Sequence, residues 1–302
     1  MKEAKTCVLF MTHRMDPSIL DEFQKIRTCQ KPGLDIKLFY DKSSPKPPRH
    51  GFREKELFGF CSGAPLPPDT IFFDIASLAE RFKFIKHWER GLIYGNTVFP
   101  VLDFALTHDY DFIWKIELDV RFAGDWKEFF DEFEPCCADL LGTTLCDYSS
   151  CPEWFWWQTL KHQGAPISEN QRLRGFFPVL RLSKRACGIL EEAYSQGWEG
   201  HYECVVPTVL RIRACSMEDI GGNGAYVPEG RKKRFYTNTP EDAYLWPGTF
   251  LWRVPRRCVR RFTVRPKHLY HPVARQSVVE RFCHWIEGRK GTVFPNASHL
   301  YK

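Results

Sequence analysis

An α/β fold, a single mixed sheet between layers of helices, is predicted by three features. The first forty residues read strand, helix, strand; strand-like and helix-like segments keep alternating past the middle of the chain; and no linker, internal repeat or low-complexity tract divides the 302 residues. "TCVLFMTHR" is apolar and β-rich, "DPSILDEFQKIRTC" carries Asp16 as N-cap with Pro17 at the first helical position, and "DIKLFYD" returns to strand. Such a β-α-β unit implies parallel strands, and ligands of these sheets collect beyond the strands' carboxyl ends, where Thr12, His13, Arg14 and Asp41 fall.

Residues 43–70, rich in Pro, Gly and charge, read as a long loop lying against the sheet or over the site. "PDTIFFDIASLAERFKFIKHWE" then gives a short strand and an amphipathic helix, "NTVFPVLDFALTHD" a second helix ending near Asp109, and "YDFIWKIELDV" a buried strand reached by a crossover. "GDWKEFFDEFE" is helical, "ADLLGTTLCDY" strand-like, and "CPEWFWWQTL" an aromatic cluster. "GFFPVLRLS" is a strand and "KRACGILEEAYSQG" a helix; "WEGHYECVVPTVLRIRA" follows, and the remainder is more irregular.

Composition narrows the function classes. No apolar run approaches the roughly 20 residues of a membrane helix, and "MKEAKTCVLF" leaves no room for the apolar region of a signal peptide, so a soluble, cytoplasmic protein is expected. The 12 cysteines form no CxxC pair and no repeating framework, which favours reduced, mostly buried thiols over structural zinc or a disulfide scaffold. The net charge of +6 is unevenly placed: Arg253, Arg256, Arg257, Arg260, Arg261, Arg265, Lys267 and Arg275 fall in a stretch without acid. Beyond a merely solvated basic face, that stretch fits a nucleoside diphosphate, an anionic membrane surface met peripherally, or nucleic acid.

"WKIELDVRF" holds the first candidate site. Side chains two apart in a strand share a face, so Glu117 and Asp119 are expected to project together. A surface strand accommodates such a pair with water and a nearby arginine; the other reading is a divalent cation between the two carboxylates. Consecutive Trp154, Phe155, Trp156 and Trp157 cannot all point inward from one strand, which leaves either a stacking surface for sugar rings or an apolar cap over the core.

An acidic pair at the end of a central strand is where GT-A glycosyltransferases keep their DxD motif, and "WKIELDVRFAGDW" with "GHYECVVPT" and "LYHPV" resembles a bacterial, fungal and viral group of that type. The resemblance runs from Lys5 to about Val273 and implies a single GT-A-like domain, 1–302, with a nucleotide-binding half (about 1–122) and an acceptor-binding half (about 123–302). It implies a glycine-containing loop and acceptor-side strand at Gly175, a catalytic base at Glu203 opening a helix (with Asp219, and Glu218 beside it, as rivals), and a metal-completing histidine at His271, with His268 its competitor. The cofactor would be Mn²⁺ or Mg²⁺ on Asp119 and His271, with Glu117 acting through water or on the ribose, since Glu replaces the usual first Asp. Thr12, Arg14 and Asp41 would hold base and ribose, with loop capping the other explanation of the same residues, Arg265 and Lys267 the diphosphate, and Trp154, Trp156 and Trp157 the acceptor.

The expected reaction is therefore transfer of a sugar from a UDP or GDP donor to a hydroxyl of a glycan or glycolipid, with inversion. Two other classes share some features. A nucleotidyltransferase would show a glycine-rich loop after the first strand, and "FMTHRMDPS" has none. A non-enzymatic nucleic-acid binder would intersperse its basic residues among exposed aromatics rather than concentrate them after residue 250, so no nucleic-acid partner is expected.

Overall fold

A computed structural model of the chain describes residues 4–15, 17–43, 66–86, 88, 91–92, 95–238, 248–250 and 265–273. The expected cap at Asp16, most of the 43–70 loop, and the basic residues Arg253, Arg256, Arg257, Arg260, Arg261 and Arg275 lie outside the described residues.

The first half follows the expected order. Strand β1 (Thr6–Thr12) leads through helix α1 (Pro17–Arg27) to β2 (Leu34–Asp41), then β3 (Ile71–Phe73), α2 (Ile75–Arg81), α3 (Phe99–Thr107) and β4 (Phe112–Glu117). Proline opens α1, where its missing N–H is not needed. Asp74 caps α2 through the Ser77 N–H at 2.8 Å. Helix α2 is shorter than its apolar pattern implies and stops at Arg81.

The second half runs β5 (Arg121–Phe122), α4 (Trp126–Phe133), β6 (Leu140–Asp147), β7 (Lys161–His162), β8 (Ala165–Pro166), β9 (Leu173–Ser183), α5 (Lys184–Ser195), β10 (Trp198–Glu199), α6 (Tyr202–Ile212), β11 (Met217–Asp219) and β12 (Leu269–Tyr270). Seven strands form one mixed sheet in the order β11-β6-β9-β4-β1-β2-β3, drawing on both halves of the chain. β1 is parallel to β2 and β4, β2 to β3, and β11 to β6, while β9 runs antiparallel between β4 and β6. The chain moves from β1 outward to β3 and then returns to the other side of β1 for β4. The carboxyl ends of β1 and β4 therefore flank the point where strand order reverses, the place such sheets bind ligands.

Both faces are covered, so the central strands are buried on both sides and largely apolar, with Lys115 of β4 and Arg174 and Arg181 of β9 the buried charges among them. Cys7, Leu9 and Met11 of β1 join a core with Leu78, Phe99, Leu102, Leu190 and Val206, contributed by α2, α3, α5 and α6. Val8 and Phe10 face the other way, toward Phe23, Trp126, Phe129 and Phe133 of α1 and α4.

Gly175, which the residues place at the start of a strand and the resemblance in a loop, lies buried inside β9. Here the phenyl ring of Phe177 folds back over the strand between Gly175 and Gly142, and a β-carbon at either glycine would enter that ring. Its role is close packing, so Gly175→Ala is expected to destabilise by about 1–3 kcal/mol, as overpacking of a filled core does; urea unfolding measures this.

Candidate functional site

Strand β4 ends at Glu117, and Leu118–Asp119 turn away from the sheet. The Val120 N–H donates to the Glu117 carbonyl at 3.0 Å, and the Arg121 guanidinium ties the carbonyls of Leu118 and Val120 at 2.8 and 2.7 Å. Asp119 thus sits in a turn, which corrects the strand alternation expected of "IELDV": the strand-face mate of Glu117 is Lys115. Asp119 reaches the same place by the turn instead.

The partner comes from far along the chain. β12 pairs antiparallel with β5, and the Val273 N–H donates to the Asp119 carbonyl at 2.8 Å. His271 is thereby held against Phe176 and Phe250, with its Nε2 3.4 Å from Asp119 Oδ1. Glu117, Asp119 and His271 each offer one ligand atom, all within 4.8 Å of one another. Burial raises the Asp119 pKa, but the hydrogen bond and charge of His271, with Arg121, outweigh it and hold the carboxyl below its usual range. Two carboxylates and an imidazole are a donor set that suits Mn²⁺ or Mg²⁺.

Beneath this cluster lies a fully buried Lys115, whose Nζ is 2.7 Å from Glu117 Oε1 and lies 5.1 Å from the ring centre of Tyr202. Lys115 neutralises part of Glu117's charge, leaving Asp119 as the carboxylate engaged with His271. Lys115→Met leaves that acid unbalanced and is expected to cost about 2 kcal/mol, less than the ~3–5 of a wholly buried pair because Glu117 keeps some contact with water. Lys115→Met/Glu117→Gln is expected to recover at least half of the loss in urea unfolding.

Helix α6 brings the other acid to the same sheet face. Its N-cap is His201, whose Nδ1 accepts from the Glu203 N–H at 3.3 Å and whose ring stacks on Trp156 at 4.2 Å. Burial, with help from the Lys115 charge, pulls His201 down to about 3. Glu203 is buried and accepts the Phe177 N–H at 3.2 Å. Burial, reinforced by Glu117 and opposed by the Phe177 N–H, Arg174 and Lys115, pushes Glu203 up to about 7.

The rival acids are placed differently. Asp219 is fully buried and accepts from the N–H groups of Leu145, Gly221 and Gly222 at 3.1, 2.9 and 3.1 Å and from the Tyr236 hydroxyl at 2.7 Å. It clamps an irregularity in β6, where Thr144 adopts a positive φ of 52° and the β6–β9 register shifts. The glycine N–H groups beside it serve the carboxylate itself rather than a ligand. Glu218 pairs with Arg231.

At the carboxyl ends of β1 and β2, the Thr12 hydroxyl bonds both the carbonyl and, at 3.2 Å, the N–H of Arg14, and Asp41 accepts the Ser43 N–H at 2.8 Å. These contacts cap their own loops. At the end of β1, partial burial and then the Arg14 charge lower the His13 pKa, while the charges of Asp41 and Asp119 act against that shift.

Trp154 and Trp157 are only 5% exposed and belong to the core, so the apolar-cap reading describes them better than an open stacking surface. Trp156 is half-buried. A cleft of about 390 Å³ opens at this edge, lined by the edges of Trp154 and Trp157 together with Glu153, Phe155, Gln158 and Arg172.

The Lys267 ammonium lies 2.8 Å from Glu128; Arg265 is exposed, and its backbone N–H donates to the Tyr270 hydroxyl at 2.5 Å. His268 Nδ1 lies 2.9 Å from the Pro266 carbonyl within its own turn. The structure thus groups Glu117, Asp119 and His271, sets Glu203 on the same sheet face as Glu117, and gives Lys267 and Asp219 other partners. Lys115, Arg121 and His201 went unnoticed in the sequence. Period-two reading from Glu117 back to Lys115 was the one signal available.

Fold and site together define an α/β protein whose seven-stranded mixed sheet carries an acid–histidine cluster at the carboxyl end of a central strand. A family model described as "Protein of unknown function (DUF3405)" matches residues 70–139, which include the Glu117–Asp119 turn. No curated protein matches the chain. Similar solved structures include an active-site mutant of LgtC, 11% identical with a TM-score of 0.41, covering 95% of this chain and 97% of that one. Mouse xyloside xylosyltransferase 1 is 13% identical with a TM-score of 0.31, covering 70% of this chain and 81% of that one. The bifunctional IspDF of Campylobacter jejuni is 10% identical with a TM-score of 0.35, covering 76% of this chain and 53% of that one, so this chain spans about half of its length. Among the described residues no helix is long and apolar enough to cross a membrane.

Proposed function

We propose that the chain is a metal-dependent GT-A glycosyltransferase moving a sugar from a nucleoside diphosphate, UDP or GDP, to a hydroxyl of a glycan or glycolipid. The observation that carries this reading is the convergence of Glu117, Asp119 and His271 within 4.8 Å at the strand-order reversal. Asp119 and His271 would hold Mn²⁺ or Mg²⁺, with Glu117, already engaged by Lys115, contributing through water or to the donor ribose. When bound, the cation would offset the negative charge that grows on the diphosphate as the glycosidic bond breaks.

Glu203 takes the proton of the attacking hydroxyl. An acid near pH 7 is well matched to that task, and burial supplies the shift. A single displacement with one base gives inversion, as in inverting glycosidases. The first half of the chain binds the nucleotide through the ends of β1 and β2, and the second half binds the acceptor at the cleft that Trp154 and Trp157 help to line, with Trp156 half-buried nearby. Arg265 is available to the diphosphate, whereas Lys267 would first have to leave Glu128.

A panel of UDP- and GDP-sugars tested for thermal stabilisation with and without Mn²⁺ checks this reading. One donor is expected to stabilise the fold in Mn²⁺ alone, by about 2.7 kcal/mol at a hundredfold excess over its Kd. Absence of nucleotide binding in Mn²⁺ by calorimetry rejects it, and steeply salt-sensitive nucleic-acid binding would favour the non-enzymatic class instead.

A further inference from the structure

We propose that Cys146 and Cys151 are an oxidation site, a thiol pair that closes to a disulfide and reopens on reduction. Cys146 is the penultimate residue of β6, paired with Arg174 of β9, and a tight turn at Tyr148–Ser150 brings the chain back. The Cys151 N–H donates to the Tyr148 carbonyl at 3.0 Å, and the Cys151 carbonyl accepts the Trp157 indole N–H at 2.8 Å. Both backbones are thus fixed, and the two sulfurs lie 3.3 Å apart. A disulfide needs about 2.0 Å, so closure asks for a shift of roughly one ångström.

The surroundings divide the roles. Arg174 is buried, its guanidinium 5.0 Å from the ring centre of Trp154, and its Nε donates to Cys146 Sγ at 3.1 Å. The Cys151 thiol bonds to Cys146 Sγ and is the main cause of its pKa falling to about 7; burial opposes this and Arg174 adds to it. Cys151 is raised and keeps its proton. Cys7, Cys29, Cys187, Cys204 and Cys215 are all raised by burial, so Cys146 stands apart from them.

Hydrogen peroxide is small enough to serve as oxidant. The Cys146 thiolate attacks one oxygen, the O–O bond breaks, and hydroxide leaves, giving a sulfenic acid. Cys151 then loses its proton and attacks that sulfur, forming the S–S bond and releasing water. In sum two thiols and one peroxide give one disulfide and two waters, and a dithiol reductant reverses the change by exchange. Closure removes the thiolate facing Arg174, whose charge also acts on Glu203 and would then pull that acid further down. An effect of that shift on catalysis, unlike the bond itself, rests on the transferase reading.

The test treats the full chain with hydrogen peroxide at neutral pH, blocks remaining thiols with iodoacetamide, and digests with trypsin and an enzyme cutting before aspartate. Those cuts separate residues 139–146 from 147–161. The expected result is the two peptides cross-linked, two hydrogens lighter than their sum, and separated by dithiothreitol. In Cys151→Ser the sulfenic acid is expected to persist and be captured at Cys146 by dimedone. Recovery of both peptides alkylated, or singly oxidised without the cross-link, overturns the proposal. The wild-type digest decides this even if a variant fails to fold.

Discussion

Asp119→Asn is expected to lower kcat/KM for sugar transfer by about 10³-fold, equivalent to roughly 4 kcal/mol of transition-state stabilisation. The substitution keeps the size of the side chain and a hydrogen-bonding oxygen for His271, and the backbone carbonyl that accepts the Val273 N–H is untouched. What disappears is the negative charge. Unfolding free energy should therefore change by less than about 1 kcal/mol, as for a substitution that preserves packing. Mn²⁺ titration by calorimetry and steady-state kinetics at saturating Mn²⁺ separate the two effects. An unchanged kcat/KM would remove Asp119 from the metal site.

Glu203→Gln is expected to reduce kcat by about 10²–10⁴-fold, the usual contribution of a general base, while leaving donor affinity nearly intact. Wild-type kcat should rise through about pH 7 as Glu203 ionises, and the variant should lack that limb. Stability provides a second readout with a definite sign. Glu203 titrates near 7 in the fold against about 4.5 in the unfolded chain, so between those values the folded state binds more protons and stability falls as pH rises. His201 works oppositely: held near 3 in the fold, it protonates first in the unfolded chain, so stability falls as pH drops below about 6.5. The melting-temperature difference, variant minus wild type, isolates Glu203 because His201 is common to both. It should grow from pH 5 to pH 8, and a flat difference would mean that Glu203 is already ionised in the fold throughout this range, as it is in the unfolded chain.

Much of the fold could be read from local pattern. Proline at the start of α1, apolar periodicity in α3, α4 and α5, and long β-rich runs in β1, β4 and β9 all reflect interactions within a few residues. The site was legible only where order along the chain stood in for space. Glu117 and Asp119 were found together, but the geometry uniting them is a turn held by Arg121, which strand periodicity does not foresee. For Gly175 and the tryptophans the sequence left two readings open for one reason: whether a ring or a glycine faces solvent depends on what packs against it. Phe177 fills the space at Gly175, and the fold's own core covers Trp154 and Trp157. Asp219 looked like a ligand-lining acid because its glycine neighbours are visible in sequence, whereas Leu145 and Tyr236, which complete its bonding, are distant.

The pairing of β12 with β5 makes ligand affinity a measure of chain docking. His271 reaches Asp119 only while Leu269 lies against Phe122, so an ion binding this site would bind the docked fraction alone. If docking were only one-tenth populated, the apparent dissociation constant would be about tenfold weaker, with every ligand atom unaltered. Loosening Leu269 would then tax cation affinity from outside the coordination sphere, and a saturating cation would repay it by drawing the far segment onto the sheet.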